Sequence, residues 1–197
     1  MKIFDISQEV FSCVVFPGDP APKKEIIYSL QNGDICNLSS LYMCSHNGTH
    51  IDAPVHFLKD GKTVEEIELC KMVGMAFVAE HNGILGKEDA IEILKRAEDK
   101  STEASRRILI KGDATISEEA AEVFAEANIH LLGNESQTVG PKDAPMKTHK
   151  ILLAKEIVLL EGIRLNNVCE GEYLLNCAPL SLAGADGSPC RAILIQL

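Results

Sequence analysis

The amino-acid sequence predicts a mixed α/β fold, and two observations support this prediction. Seven short apolar runs are typical of β-strands, and two further segments carry apolar residues at the three-to-four spacing of amphipathic helices. The middle of the chain alternates helix and strand, whereas both ends are rich in strands, which favours a mixed domain over a purely parallel sandwich. With 197 residues, the chain is long enough for a single domain, 1–197, with a substantial core. The predicted strands are 36–45, 72–80, 107–111, 129–132, 157–160, 173–177 and 192–197.

The two predicted helices occupy 87–97 and 118–127, where apolar side chains recur on one helical face. Thr115 or Ser117 can cap the second helix, because a hydroxyl at this position accepts a hydrogen bond from a backbone N–H of the first turn. Both helices lie in the part of the chain where helix and strand alternate.

Composition and charge exclude several classes of protein. The net charge is −10 and there is no basic block, so nucleic acid and anionic membranes are poor partners. No run approaches the roughly 20 apolar residues of a membrane span, and the N-terminal segment lacks the apolar core of a secretion signal. The seven cysteines form no Cys-x-x-Cys pair and their number is odd, so we expect reduced thiols and a cytoplasmic protein.

Half of the six histidines lie in one short segment, which is the strongest functional pattern in the chain. His46, His50, Asp52 and His56 are four potential metal ligands or proton carriers within eleven residues. All four occupy even positions, and residues of equal parity share one face of an extended chain. Cys44 has the same parity, and it is either a further ligand, a reactive thiol or a small buried residue of a strand.

A straight strand cannot bring His46 and His50 to one ion, because the two residues would be about 13 Å apart. Ligands of one metal ion come within about 4 Å of each other, since each bond is near 2.0–2.1 Å. We therefore expect a bend at Gly48, where glycine tolerates backbone angles that other residues avoid. Pro54 disfavours a helix through the segment, which separates it from the helical His-Glu-x-x-His zinc motif.

Two further polar residues lie far downstream. Glu161 follows the apolar run 157–160, and a carboxylate at the end of a buried strand is well placed to project into a site. His149 opens the run 150–154, which is predicted to be a short helix. From the residues alone, each is either a ligand or an ordinary surface side chain.

The histidine segment resembles the metal motif of the cyclase family that includes bacterial kynurenine formamidases and isatin hydrolases. That motif is a histidine, a small turn, a second histidine, then aspartate, proline and a third histidine. Other pieces match in the same order, so the resemblance covers essentially the whole chain. These pieces are 4–7, Phe-Pro-Gly-Asp-Pro at 16–20, Asp-Gly-Lys-Thr-Val at 60–64 and the run 178–192.

The resemblance implies a site with one or two divalent ions, zinc or manganese. His46, His50 and Asp52 would hold the first ion, and Asp52 would bridge to a second. The second ion would be held by His149 and Glu161, which have the family's spacing of twelve residues in a matching context.

The third histidine of the motif, His56, has a different implied role. By the resemblance it is the proton carrier, not a primary ligand. The resemblance also implies a swivelling β/β/α domain that assembles as a homodimer or homotetramer, with sites near subunit contacts.

One stretch departs from the formamidase pattern, which has Gly-x-Asp followed by a Ser-x-Asp pair after the strand predicted at 129–132. Here Glu135 stands where the first aspartate is expected, and Gly140 stands where another is expected. The early aromatic residue is Phe16 where tryptophan is common. These differences leave the metal motif intact and concern regions that line the substrate.

The function implied is metal-assisted hydrolysis of a small amide, formamide, lactam or lactone, with His56 as general acid and base. Two alternatives remain. The same site can serve a cyclase or dehydratase that uses the metal as a Lewis acid, or the chain can be a non-catalytic protein that binds a metal or a small ligand.

Overall fold

The backbone is organised around one large curled mixed sheet with three helices. The computed structural model describes residues 1–196. The helices are α1 (Lys87–Glu98), α2 (Glu118–Glu126) and α3 (Met146–Leu153). The strands are β1 (Lys2–Asp5), β2 (Lys23–Tyr28), β3 (Leu38–Tyr42), β4 (His50–Asp52), β5 (Val73–Glu80), β6 (Gly83–Leu85), β7 (Arg107–Lys111), β8 (Ala114–Ile116), β9 (Leu131–Asn134), β10 (Val158–Glu161), β11 (Gly171–Asn176), β12 (Gly187–Pro189) and β13 (Ile193–Gln196).

Nine strands form the main sheet in the order β1-β13-β11-β5-β7-β9-β10-β4-β12. The central strands β5, β7, β9 and β10 are parallel, and the other pairs are antiparallel. The helices lie in the connections between these parallel strands, as such crossovers require. The fold is therefore the mixed α/β domain that the sequence predicts.

Both faces of the central strands are buried, and alternate residues of each strand belong to different cores. In β5, Phe77 and Ala79 pack with the helices, whereas Ala76 and Val78 pack with strands from the two ends of the chain. This explains why these segments are continuous apolar runs without alternation, since parallel strands are covered on both sides.

The predicted helices and strands are all present, with shifted ends. Ser117 is the residue that caps α2, because its Oγ accepts the N–H of Ala120 at 3.1 Å. The strand predicted at 36–45 is shorter, and Leu197 of the last predicted strand lies outside the described residues. The short helix predicted at 150–154 begins four residues earlier, at Met146, so His149 lies within α3 and not at its start.

The three-residue strand β4 places the histidine segment inside the sheet. It lies between β10 and β12 and is antiparallel to both, with His50 opposite Glu161 and Asp52 opposite Leu159. Every residue of β4 and β10 is buried. The ends of two segments that are distant in sequence therefore meet within the sheet.

The pair β2 and β3 forms a separate two-stranded hairpin with a different environment. Every residue in both strands is exposed, although the hairpin contains Ile26, Tyr28, Leu41 and Tyr42. We call Lys23–Tyr28 and Leu38–Tyr42, with their connection, the hairpin arm. Across residues 1–196, no helix is both long enough and apolar enough to cross a membrane.

Candidate metal centre and active site

Gly48 makes the predicted bend in the histidine segment. Its φ of +70° lies in the left-handed region that favours glycine. The turn brings the His46 and His50 rings together, with 5.1 Å between their centroids and nearly perpendicular planes. The bend thus converts residues four positions apart into neighbours.

Asp52 lies at the middle of the buried polar cluster and uses its two oxygens in different directions. Oδ1 is 2.8 Å from Nδ1 of His46 and 3.5 Å from Nε2 of His50. Oδ2 is 3.6 Å from Nε2 of His149, it is buried, and it has no hydrogen-bond partner among the described residues. One carboxylate therefore faces two groups of potential ligands.

The second group combines α3 with the end of β10. Nε2 of His149 is 3.1 Å from Oε1 of Glu161, and Nε2 of His50 is 3.5 Å from Oε2 of the same carboxylate. The backbone N–H of Val139 donates to Oε1 of Glu161 at 2.8 Å, which holds the side chain in place. The structure thus brings together the five residues that the sequence analysis proposes as ligands: His46, His50, Asp52, His149 and Glu161.

Backbone carbonyls select the ring nitrogens that face the cluster. Nδ1 of His50 is 3.0 Å from the carbonyl oxygen of Gly48, and Nδ1 of His149 is 2.8 Å from that of Pro145. A carbonyl only accepts hydrogen bonds, so Nδ1 is the donor in both rings and Nε2 is directed to the carboxylates. This is the arrangement that orients histidine ligands in metal sites.

The carboxylates of the cluster favour a positive charge beside them. Burial opposes protonation of His46, but its hydrogen bonds to Asp186 and Asp52 outweigh burial and raise the pKa of His46 to about 11. For His50, burial is likewise outweighed by Asp52 and Glu161, and the pKa rises to about 9. The carboxylates therefore hold protons on these rings where a metal ion would supply the positive charge.

The donor set fits a divalent metal. His46, His50 and Asp52 offer ligand atoms within 4.8 Å of one another, as do Asp52, His149 and Glu161. Tetrahedral ligands with bonds near 2.0–2.1 Å are roughly 3.3 Å apart. The distances from the Asp52 oxygens to His46, His50 and His149, and from Glu161 to His149, are of this size. Imidazole and carboxylate together suit zinc and manganese.

His56 lies at the opening of the cluster, where it forms a third group of potential ligands with His46 and Asp186, whose ligand atoms lie within 4.8 Å of one another. It follows Pro54 in a short 3-10 turn, Pro54–His56, and its side chain is 26% exposed. Its ring centroid is 4.1 Å from that of His46 and 4.4 Å from that of Phe57. Together with Phe16, these rings line a cavity of about 240 Å³ above the ligands.

Asp186 is a site residue that the sequence analysis does not identify. Its Oδ2 is 3.3 Å from Nδ1 of His56 and 3.1 Å from Nε2 of His46, and the hydroxyl of Ser45 donates to its Oδ1 at 2.9 Å. Hydrogen bonds from His46 contribute most to lowering the pKa of Asp186. The next residue is Gly187, where a Cβ would lie 2.5 Å from the His46 ring, so only glycine leaves room for this ring.

The matching run at 178–192 contains Asp186, so a signal for it exists in the sequence. Its position beside the histidines depends on the pairing of β12 with β4, which no local pattern reveals. Cys44, by contrast, is half-buried outside the strands and belongs to none of the clusters of potential ligands among residues 1–196. The structure gives no support to the thiolate alternative.

The residues that depart from the formamidase pattern have structural roles. Glu135 accepts the backbone N–H of Gly112 at 2.7 Å through Oε2 and that of Leu165 at 2.9 Å through Oε1. A Cβ at Gly140 would lie 3.1 Å from Cα of Pro145, so a larger residue would crowd the start of α3. Phe16 lines the cavity above the ligands.

Comparison with known proteins agrees with this geometry. A model of the family described as "Putative cyclase" matches residues 4–141. This chain belongs to that family. The kynurenine formamidase of Erythrobacter litoralis is 30% identical over 210 residues, covering 100% of this chain and 94% of that protein. The kynurenine formamidase of Bacillus mycoides is 32% identical over 206 residues, covering 96% of this chain and 95% of that protein.

Solved structures of cyclase-family relatives share the fold. A protein described as a potential metal-dependent hydrolase with cyclase activity has a TM-score of 0.80 and 27% identity, covering 98% of this chain and 96% of that chain. Isatin hydrolase A from Labrenzia aggregata has a TM-score of 0.82 at 21% identity, covering 100% of this chain and 94% of that chain. The second likeness bears on the fold alone.

Proposed function

We propose that this chain is a metal-dependent hydrolase of carbon–nitrogen bonds other than peptide bonds. Its substrates are small amides, formamides or lactams, and the same chemistry extends to lactones. The observation that carries the proposal is the buried Asp52, whose two oxygens face His46 and His50 on one side and His149 on the other. The kynurenine formamidases among the relatives support the amide class.

The five clustered residues would hold one or two divalent ions, zinc or manganese. Such an ion lowers the pKa of a coordinated water from 15.7 to about 7 and polarises a carbonyl group. Asp52 belongs to both ligand sets, so it would connect two ions.

His56 is the acid–base group in this proposal. In hydrolysis, the oxygen of water bonds to the substrate carbonyl carbon, and the bond from that carbon to nitrogen breaks. His56 takes the proton from the water and returns it to the departing nitrogen. Its ring lines the same cavity as the proposed ligands His46, His50, His149 and Glu161, which supports this role. Phe16 and Phe57 give this cavity an apolar lining beside the proposed ligands.

Asp186 is a positioning residue for His56. Its Oδ2 lies 3.3 Å from Nδ1 of His56, so a proton on Nδ1 leaves Nε2 free to exchange protons with the substrate. The hydroxyl of Ser45 holds the other carboxylate oxygen of Asp186. This arrangement fixes both the tautomer and the direction of the catalytic ring.

Metal content per chain tests the proposal directly. Protein purified without chelator or affinity metal is analysed by elemental mass spectrometry and then assayed with formanilide, a simple aryl formamide. About two ions per chain and metal-dependent turnover support a site with both ligand sets. About one ion supports a site of His46, His50 and Asp52 alone. No bound metal, even after incubation with zinc or manganese, would overturn the proposal.

A cyclase or dehydratase is the second candidate, because one structural relative is described as a hydrolase with cyclase activity. Mass spectrometry of the product separates the two, since hydrolysis adds the mass of one water to the substrate. Turnover of any amide or lactone would exclude the third alternative, a non-catalytic binding protein.

The proposal includes self-association and a cytoplasmic location. A two-stranded hairpin is at best marginally stable by itself in water, yet both faces of the hairpin arm are exposed and rich in apolar side chains. A second copy of the chain that covers these faces would account for them, in a homodimer or homotetramer. The location follows from the reduced thiols, and no cysteine in residues 1–196 is paired.

A further inference from the structure

A buried threonine joins the beginning of β4 to the end of β10. Thr49 directly precedes His50 in the chain, and Gly162 directly follows Glu161. The Oγ1 of Thr49, a residue that is 1% exposed, donates to the carbonyl oxygen of Gly162 at 2.8 Å. His50 and Glu161 already face each other in the strand pair. A side-chain hydrogen bond therefore holds the two strands together immediately beside a ligand from each of them.

Gln8, in the N-terminal segment, completes this contact. Its backbone N–H donates to Oγ1 of Thr49 at 2.9 Å, and its Nε2 donates to the carbonyl oxygen of Gly162 at 2.8 Å. A hydroxyl has a single O–H donor, so the direction of the Thr49 side chain is fixed by one bond that it donates and one that it accepts. We call Gln8, Thr49 and Gly162 the strand clamp. Its three hydrogen bonds use no side chain of the five proposed ligands.

The backbone of Gly162 is packed closely inside the strand clamp. Its φ of +69° lies in the left-handed region that favours glycine. An added Cβ would lie 2.5 Å from Nε2 of Gln8, 2.5 Å from Oε1 of Gln137 and 2.7 Å from the carbonyl oxygen of Gly48. The N–H of Gly162 donates to the carbonyl oxygen of Ser136 at 2.7 Å. Gly162 is thus held from several sides, and any shift of it would move the neighbouring Glu161.

The two ligand sets differ in how far they depend on this contact. The first set lies within residues 46–52 of one segment, whereas the second combines residues of β4, α3 and β10. The position of Glu161 relative to Asp52 therefore depends on how β10 lies against β4. The strand clamp fixes this relation at the end of β10 that carries Glu161.

We propose that Thr49 and Gln8 are positioning residues that hold Glu161 in place for the second divalent ion. This inference rests on the proposed function, whose metal site it deepens. Residues that orient metal ligands without binding the metal typically contribute about 10- to 100-fold to affinity. Loss of the strand clamp should therefore weaken the second ion and spare the first, whose ligands come from one segment.

The experiment measures zinc binding to the metal-free, full-length protein by competition with a chromophoric chelator. His149→Ala lacks a ligand of the second set, so it identifies which binding step belongs to that set. In Thr49→Val, which loses the hydroxyl but keeps a similar shape, we expect the Kd of this step to rise about tenfold and that of the first ion to stay within about twofold. Thr49→Ser keeps the hydroxyl and should restore the wild-type Kd.

Gln8→Met tests the other side chain of the strand clamp. It removes the Nε2 donor but keeps the backbone bond to Thr49, so we expect a smaller rise in the Kd of the second ion, about threefold. If Thr49→Val does not fold, Gln8→Met decides the question by the same measurement.

Ser7→Ala is the matched control. The hydroxyl of Ser7 also joins the N-terminal segment to a distant backbone carbonyl, that of Ala192, at 3.1 Å. Because Ser7 lies outside the strand clamp, its loss should leave the Kd of both ions unchanged. Equal weakening of both ions in Thr49→Val, or the same weakening in Ser7→Ala, would overturn the inference, since the effect would then come from the fold as a whole.

The wild-type protein separates this inference from the proposed function. If it binds two ions, and Thr49→Val and Gln8→Met bind both with wild-type affinity, the inference is wrong and the proposed function stands. If it binds one ion, the inference is also wrong, because there is no second ion to hold. If it binds no metal, the proposed function fails as well.

Discussion

The candidate metal centre and the hairpin arm are opposite exceptions to the usual pattern of burial, in which apolar side chains are buried and ionisable ones are exposed. At the centre, Asp52, His149 and Glu161 are polar or ionisable and almost fully buried. In the arm, Ile26 and Tyr42 are apolar and more than half exposed. Buried ionisable groups and exposed apolar patches are the informative exceptions to ordinary burial.

The two regions differ in the kind of partner that would complete them. At the centre, protons on His46 and His50 balance the buried carboxylates, and a bound cation would supply this positive charge instead. The arm exposes more apolar surface than its own residues cover, and the proposed self-association would bury it against a second copy of the chain. Substitutions in the two regions should therefore have different consequences, and the following predictions test this contrast.

Substitution of Asp52 should have the largest effect. Asp52→Asn removes the charge that both ligand sets share, and we expect loss of bound metal with a decrease in kcat of about 10³-fold or more. Elemental analysis and steady-state kinetics measure both effects. Asp60→Asn, an identical change at an exposed position, is the control and should alter neither. Full metal binding by Asp52→Asn would contradict the bridging role.

His56→Ala should separate catalysis from metal binding. We expect kcat to fall by about 10²–10³-fold, because a proton carrier is lost, while metal content stays at the wild-type value. The measurement pairs kinetics with elemental analysis of the same sample. If metal is lost as well, His56 is a ligand; if turnover is unchanged, it carries no proton.

Asp186→Asn should have a smaller effect, since it acts through another residue. We expect kcat to fall by about 10- to 100-fold with little change in KM, because the orientation of His56 is lost but the ring remains. Asp186→Glu should recover part of the activity. A double variant, Asp186→Asn with His56→Ala, should be no slower than His56→Ala alone, and additive losses would refute the positioning role.

The metal-free protein should lose stability at high pH. The pKa values of His46, about 11, and His50, about 9, lie above the ordinary value of about 6.5 for histidine. Their protonation therefore stabilises the fold fully below pH ~6.5, and this contribution is lost as the pH rises through 9 and 11. Thermal unfolding at pH 7.5 and 10 should show a larger decrease in midpoint for the metal-free than for the metal-loaded protein. Equal decreases would contradict this account.

Changes in the arm should affect association more than the fold of one chain. Ile26→Asp combined with Leu41→Glu places charges on the exposed apolar faces, and we expect a lower mass by light scattering with an unchanged circular dichroism spectrum. Ile84→Asp, at an apolar residue that is 75% exposed outside the arm, is the control. If light scattering shows a monomeric wild-type protein at all concentrations, the self-association proposal is wrong.

Sequence patterns predict those parts of the fold and site that depend on local order. The crowding of His46, His50 and Asp52, and the turn at Gly48, follow from residues within one segment. The helices and the long central strands follow from apolar periodicity. Strands such as β4 and β12 contain three residues each, which is too short for any period to be recognised.

The remainder depends on contacts between distant segments. The start of α3 at Met146, directly after Pro145, carries no apolar period, so the sequence predicts the helix only from about His149 onwards. Asp186 lies beside His56 only through the pairing of β12 with β4, which no local sequence pattern reveals. The strand β2 has no alternation, since both of its faces are exposed.

The pairing of β4 with β10 has a consequence for how the protein is made. His50 and Glu161 face each other in this pair, yet about 110 residues of chain separate them. A ribosome must therefore release most of the polypeptide before the second ligand set exists. A nascent chain that ends before Glu161 lacks the residue that completes the second proposed ligand set, so full metal loading would follow the synthesis of most of the chain.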